Sequence, residues 1–179
     1  MSTYSITLFV HIVSVLCIFA GFGLEWTATA LLRRAKTVSE VHSWLRAYRL
    51  AALLFGPGLL IAILSGGYLA SQIGAMKQGW IPATFVGIAI IAAFGFGLNG
   101  PRINAIRKAV PAGTEVLSTT AMERLRNPLL VTSVRISALL ALGIVFLMVT
   151  KVTFLMSMLV FVCAAIVGFF FAVPSWLSK

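Results

Sequence analysis

The stretch that decides the fold is LLVTSVRISALLALGIVFLMVTKVTFLMSMLVFVCAAIVGFFFAV, residues 129–173. Read as one helix, it would be about 67 Å long at 1.5 Å per residue, roughly twice the thickness of a bilayer's hydrocarbon core. The chain therefore has to turn within it. Past Arg135 its one charge is Lys151, between Thr150 and Val152-Thr153. Lys151 is the expected tip of that turn, although no Gly or Pro marks the position. Two spans result, 129–150 and 153–173.

Three further apolar runs lie upstream, at about 6–32, 50–73 and 80–99. Each reaches the roughly 20 residues that a crossing helix needs. The fold class expected is an all-α, polytopic transmembrane helical bundle of about five spans, with 1–179 as a single membrane domain. Composition agrees. The chain has 60% hydrophobic and 10% charged residues, where an ordinary soluble domain has about a quarter charged. The first run lacks a basic leader and ends in Arg33 and Arg34, so it reads as a retained span and not as a signal peptide.

Net charge is +10, from 14 Lys and Arg against four acids. The basic residues sit between apolar runs and do not alternate with aromatics, which argues against nucleic acid as a partner. With five spans, Arg33, Arg34, Lys36, Arg46, Arg49, Arg102, Arg107, Lys108, Arg124, Arg126, Arg135 and Lys179 share one side. Lys77 and Lys151 take the other. The positive-inside rule then predicts an external N-terminus and a cytoplasmic C-terminus, with anionic lipids as partners at the inner face. Four spans would strand Lys179 on the wrong side. A homo-oligomer or a larger membrane complex remains open.

The segments between spans carry local signals. Thr37-Val-Ser-Glu40 and Thr120-Ala-Met-Glu123 both read as capping boxes. A helix starting at the first is expected to run into the second span. Gly100-Pro101 and Pro111-Ala-Gly113 bracket a short basic helix expected to lie on the inner headgroups.

Glu25 is the anomaly, an acid inside "FAGFGLEWTATALLRR", residues 19–34. It lies eight residues before Arg33. Arg135 lies at a similar depth on the fourth span, so the two are expected to face one another, since charges in spans tend to pair. Three readings stay open: a structural pair, a proton or cation site tuned by Arg135, or an Arg135 that snorkels to the headgroups. Asn99 at the inner end of the third span is placed to join this layer. So is the expected helix kink at Gly56-Pro57-Gly58. His11, Ser14, Gly21, Glu25 and Thr29 fall within about 80° of arc on the first helix and should point into the bundle. "AGFG" (20–23), "SGGY" (65–68) and "FGFG" (94–97) read as packing surfaces.

His11 lies in the opposite half of the membrane, with Ser65 or Tyr68 as its expected partner. Met148, Met156 and Met158 share that half, and imidazole with thioethers is a copper(I) donor set. Haem is a second minority possibility; His42, the other histidine, is expected outside the membrane. No G-x-S-x-G or H-E-x-x-H occurs and the chain has no Asp, so enzyme chemistry is not expected. Cys17 and Cys163 lie in apolar runs without C-x-x-C spacing and read as core residues.

"LFVHIVSVLCIFAGFGLEW" resembles the opening helix of small, uncharacterised bacterial integral membrane proteins, and "RNPLLVTSVRISALLALGIVFLMVTK" a later helix of the same kind. A similar opening helix occurs in the copper-resistance CopD-like membrane proteins. The resemblance covers two of five helices and implies a multi-pass protein of the bacterial inner membrane. The function expected is a non-enzymatic transporter-like unit or accessory subunit of a membrane complex.

Overall fold

The computed structural model describes residues 2–111 and 116–177. Its α-helices are α1 (Thr3–Leu32), α2 (Val38–Gln72), α3 (Trp80–Ala92), α4 (Gly100–Ala109), α5 (Thr119–Arg126), α6 (Pro128–Thr150) and α7 (Phe154–Leu177). A π-helical segment, Ala93–Asn99, joins α3 to α4 without a break. Among the described residues there is no strand. Five helical stretches are long and apolar enough to cross a membrane, so the protein is a multi-pass transmembrane helical bundle. The expected breaker at Ala112-Gly113 and the terminal Lys179 lie outside the described residues.

α1 and α2 form an antiparallel hairpin. The turn at 33–37 ends in the expected capping box: Glu40 N donates to Thr37 Oγ1 at 3.3 Å, and Thr37 N donates to Glu40 Oε2 at 3.4 Å. Along the hairpin the backbones approach closely where a side chain is missing. A Cβ on Gly21 would stand 3.1 Å from the Ala51 carbonyl oxygen, and one on Gly58 3.2 Å from that of Ser14. α2 stays helical through Gly56-Pro57-Gly58. Gly58 there serves contact with α1, while Gly56 faces open space.

α2 has 35 residues, about 52 Å of helix, which is longer than a bilayer core. Its first turns meet α4 and α5. Val41 and Leu45 pack with Ile103, Ile106, Ala121 and Leu125 in a second apolar core, which Leu32 of α1 and Leu130 of α6 join from the ends of their spans. The segment read as a basic surface helix thus has an interior of its own. Ser118, and not Thr120, caps α5: its side chain accepts from Ala121 N at 3.2 Å. The second expected capping box is therefore corrected. Thr120 falls inside the first turn, where its oxygen no longer faces free amides.

Asn127 caps α6, with Pro128 at its first position. α6 ends at Thr150, and Lys151 turns the chain in the left-handed conformation, φ 51°. The predicted tip is the observed one. α7 returns against α6, and Gly168 makes the closest approach: a Cβ there would lie 2.8 Å from Ile136 Cα. The main core gathers Phe22, Trp80, Leu140, Leu147 and Phe161. Leu16, Leu64 and Phe170 are among the many large apolar side chains left exposed, which suits a lipid-facing surface.

One expectation about the third span fails. "FGFG" is not a packing surface: a Cβ on Gly95 or Gly97 would meet nothing within 4 Å, and Phe96 is 84% exposed. The glycines sit in the π segment, where Gly100 N donates five residues back to Gly95 O. The wider turn shifts the angular phase of the residues after it. Asn99, at its end, is only 2% exposed.

Candidate functional site

The polar stripe of α1 faces inward as its spacing requires. Ser14, Gly21 and Thr29 are buried, and His11 and Glu25 half-buried. Ser14 and Thr29 spend their hydroxyl protons on α1's own carbonyls, at His11 and Glu25. Glu25 faces α2, where its carboxyl and the Tyr48 phenol lie close enough to interact. The Asn99 side chain also lies within reach of Tyr48. The Ser133 hydroxyl, on α6, donates to Asn99 Oδ1.

These four residues come from α1, α2, the π segment and α6. Ser133 donates to the Asn99 oxygen, which leaves the Asn99 amide NH2 and the Tyr48 hydroxyl as donors on the Glu25 side of the group. Ser133 is 4% exposed and Asn99 2%; the Ser133 hydroxyl also lies 3.0 Å from the Leu130 carbonyl.

Arg135 is not Glu25's partner. Its Nη1 donates to the Phe171 carbonyl on α7, and its guanidinium lies over the Trp26 ring with Cζ 5.1 Å from the centroid. Trp26 also meets Phe171 edge-on, centroids 6.2 Å apart. The first and fourth spans are neighbours as predicted, but the residue of α1 that greets Arg135 is the one after Glu25. A step of 100° around the helix separates the two. One turn further along α7, Arg33 Nη2 donates to the Ser175 carbonyl at 2.6 Å. Two arginines thus use late carbonyls of α7, the electronegative end of that helix.

Sequence reasoning finds Glu25 and Asn99 and misses Tyr48 and Ser133. Tyr48 precedes the second span as hydropathy bounds it. The signal available is the hairpin itself: an antiparallel pair turning near residue 35 sets residue 25 near residue 48. Ser133 is two residues before Arg135, on a different face of α6.

At the other end of the bundle, His11 Nδ1 lies 3.0 Å from Ser65 Oγ, the partner anticipated. Ser65 Oγ is itself 2.6 Å from the Ile61 carbonyl. The ring rests on Gly66, where a Cβ would come within 2.9 Å of His11 Cε1. His11 and Met148 line one cavity of about 260 Å³ between α1, α2, α3 and α6. Met158 packs on the main core, and Met156 is 54% exposed on the outside. The expected ligand set is therefore not gathered at one point. His42 lies by α4, with Nε2 2.9 Å from the Val110 carbonyl.

Comparison of the chain with protein-family models, with curated proteins and with solved structures gives no match.

Proposed function

We propose that the protein is a non-enzymatic, transporter-like unit of a bacterial inner membrane, in which Glu25 takes up and releases a proton. The observation that carries this reading is the run of polar side chains Ser133, Asn99 and Tyr48 that leads across the bundle to one carboxyl, Glu25. Acids inside spans commonly mark proton or ion pathways. These four residues also span from the α1–α2 hairpin to the α3–α6 side of the bundle. A change in the charge of Glu25 alters what Tyr48 and Asn99 can donate to, and so couples protonation to how the two halves fit.

The basic residues orient this unit with its N-terminus outside and the Glu25 layer toward the cytoplasm. The basic end then faces anionic headgroups. The copper or haem alternative keeps His11 and Met148 on one cavity but has no second imidazole near them.

The test is proton flux into proteoliposomes under an imposed pH gradient, read with an entrapped dye. Wild type is expected to conduct or exchange protons, Glu25→Gln to lose that activity, and Tyr48→Phe to retain a reduced rate. Infrared difference spectra across a pH titration should show a carboxylic C=O band that Glu25→Gln abolishes. Flux that survives unchanged in Glu25→Gln would overturn the proposal.

A further inference from the structure

The cavity beside His11 is unlike the rest of the interior. α2 and α3 are consecutive in the chain, yet they scarcely touch. α2 packs on α1, and α3 packs on α6 and α7. The slot left between α2 and α3 is the cavity, about 260 Å³. Ile73 and Phe85 line it and are 49% and 51% exposed. Both lie at lipid-spanning helices, so the slot opens sideways, toward the acyl chains.

Its walls are apolar and rich in rings, including Phe19, Phe22, Phe55 and Trp80. Against them stand two polar side chains, His11 on α1 and Thr84 on α3. Thr84 has committed its proton to the Trp80 carbonyl at 2.9 Å. The His11 tautomer follows from Ser65. The Ser65 proton goes to the Ile61 carbonyl at 2.6 Å, so Ser65 Oγ accepts from His11 Nδ1. A neutral ring that donates through Nδ1 keeps a lone pair at Nε2. The Gly66 contact fixes the ring in place. Both polar groups of the cavity are thus acceptors, and neither has a proton left to give.

We propose that this cavity binds a membrane-soluble molecule with a phenol-type head, an aromatic ring bearing hydroxyl and apolar substituents. Size fits: an apolar cavity of roughly 150 Å³ already takes benzene, and this one holds a ring with branches. Chemistry fits on two counts. Aromatic walls favour an aromatic guest in offset or edge-on contact. Acceptors without donors select a guest that brings its own O–H, and a carbonyl or ether head meets two lone-pair groups instead. Access is lateral from the bilayer, where such a molecule partitions. The inference stands apart from the proton reading, because the cavity and Glu25 have no residue in common.

The test uses the full chain in detergent micelles with 4-tert-butylphenol as probe and its methyl ether, 4-tert-butylanisole, as the same shape without the donor. Binding is read by saturation-transfer NMR and by the shift in unfolding temperature. The phenol is expected to bind about tenfold more tightly than the ether, the size of one hydrogen bond. His11→Phe should remove that preference while still binding both. Ala62→Leu, on the α2 wall, should weaken both and serves if His11→Phe does not fold. Equal binding of phenol and ether by wild type, a preference that survives His11→Phe, or no saturable binding of either, as for a slot filled by bulk acyl chains only, would each overturn the proposal. No proton gradient enters this assay, so its failure is distinct from a failure of the flux measurement.

Discussion

Arg135 on α6 stacks on Trp26 of α1, its guanidinium carbon 5.1 Å from the ring centroid, while Glu25 beside that ring turns to Tyr48. Two charges at one depth in an apolar bundle have thus been settled separately. The arginine takes a π-face and a helix-end carbonyl. The acid takes a phenol. Neither needs the other.

That separation is measurable by double-mutant cycles. Trp26→Leu and Arg135→Gln should be coupled by about 0.5–2 kcal/mol, the range for a partly desolvated cation–π contact. Glu25→Gln and Arg135→Gln should be additive to within about 0.5 kcal/mol, as for residues without shared contacts. The readout is reversible unfolding in mixed detergent. A larger coupling for the second pair than for the first would restore the direct ion pair.

Glycines divide into those that hold helices together and those that do not. A Cβ on Gly168 would meet the backbone of Ile136 at 2.8 Å, and backbone cannot step aside as a flexible side chain does. Gly168→Ala is expected to cost about 1–3 kcal/mol, the scale of overpacking. A Cβ on Gly23, on α1, would meet nothing within 4 Å. Gly23→Ala should be neutral or stabilise by up to about 1 kcal/mol, since it also reduces the freedom of the unfolded chain. The same unfolding titration decides, and a neutral Gly168→Ala would mean that α6 and α7 are further apart than the contact requires.

The core under α4 and α5 predicts a local effect. Leu45 is 6% exposed and Ile106 2%. Either residue changed to Ala should cost about 2–5 kcal/mol of local stability. The loss should appear as faster hydrogen exchange in residues 38–49, 100–109 and 119–126, with exchange in α7 and in α6 beyond its first turn unchanged, because this core meets α6 only at Leu130. Uniform acceleration across all helices would show one cooperative unit.

Legibility in the sequence divides along a physical line. Features set by the chain's own immediate neighbours are readable. The Thr37–Glu40 box needs four residues, and the turn at Lys151 comes from helix length against bilayer thickness. The inward stripe of α1 comes from 3.6-residue periodicity. His11 with Ser65 needs only depth matching between two helices. The failures depend on rotation about a helix axis. Depth places Glu25 level with Arg135, but depth does not say which of Glu25 and Trp26 faces α6. The π segment at Ala93–Asn99 has no signature in periodicity, and it alone decides that Asn99 turns inward and that Gly95 and Gly97 turn out. Tyr48 escapes because hydropathy begins the span at residue 50, two residues too late to include it.

Lys151 is the one non-glycine residue with positive φ among the described residues, at 51°. It sits at the C-cap of α6, where its N–H donates to the Leu147 carbonyl at 2.8 Å. The left-handed conformation costs an L-residue about 1–2 kcal/mol and glycine almost nothing. Glycine gives back about 0.5–1 kcal/mol through its greater freedom when unfolded. Lys151→Gly is therefore expected to stabilise by roughly 0.5–1 kcal/mol, and Lys151→Asn by less. Lys151→Val should destabilise, because a branched Cβ fits this region worst. The order Gly, Asn, Lys, Val in unfolding midpoint is the outcome to look for. A midpoint that falls in Lys151→Gly would show that the ammonium, placed at the membrane's less basic face, contributes more than the backbone strain removes.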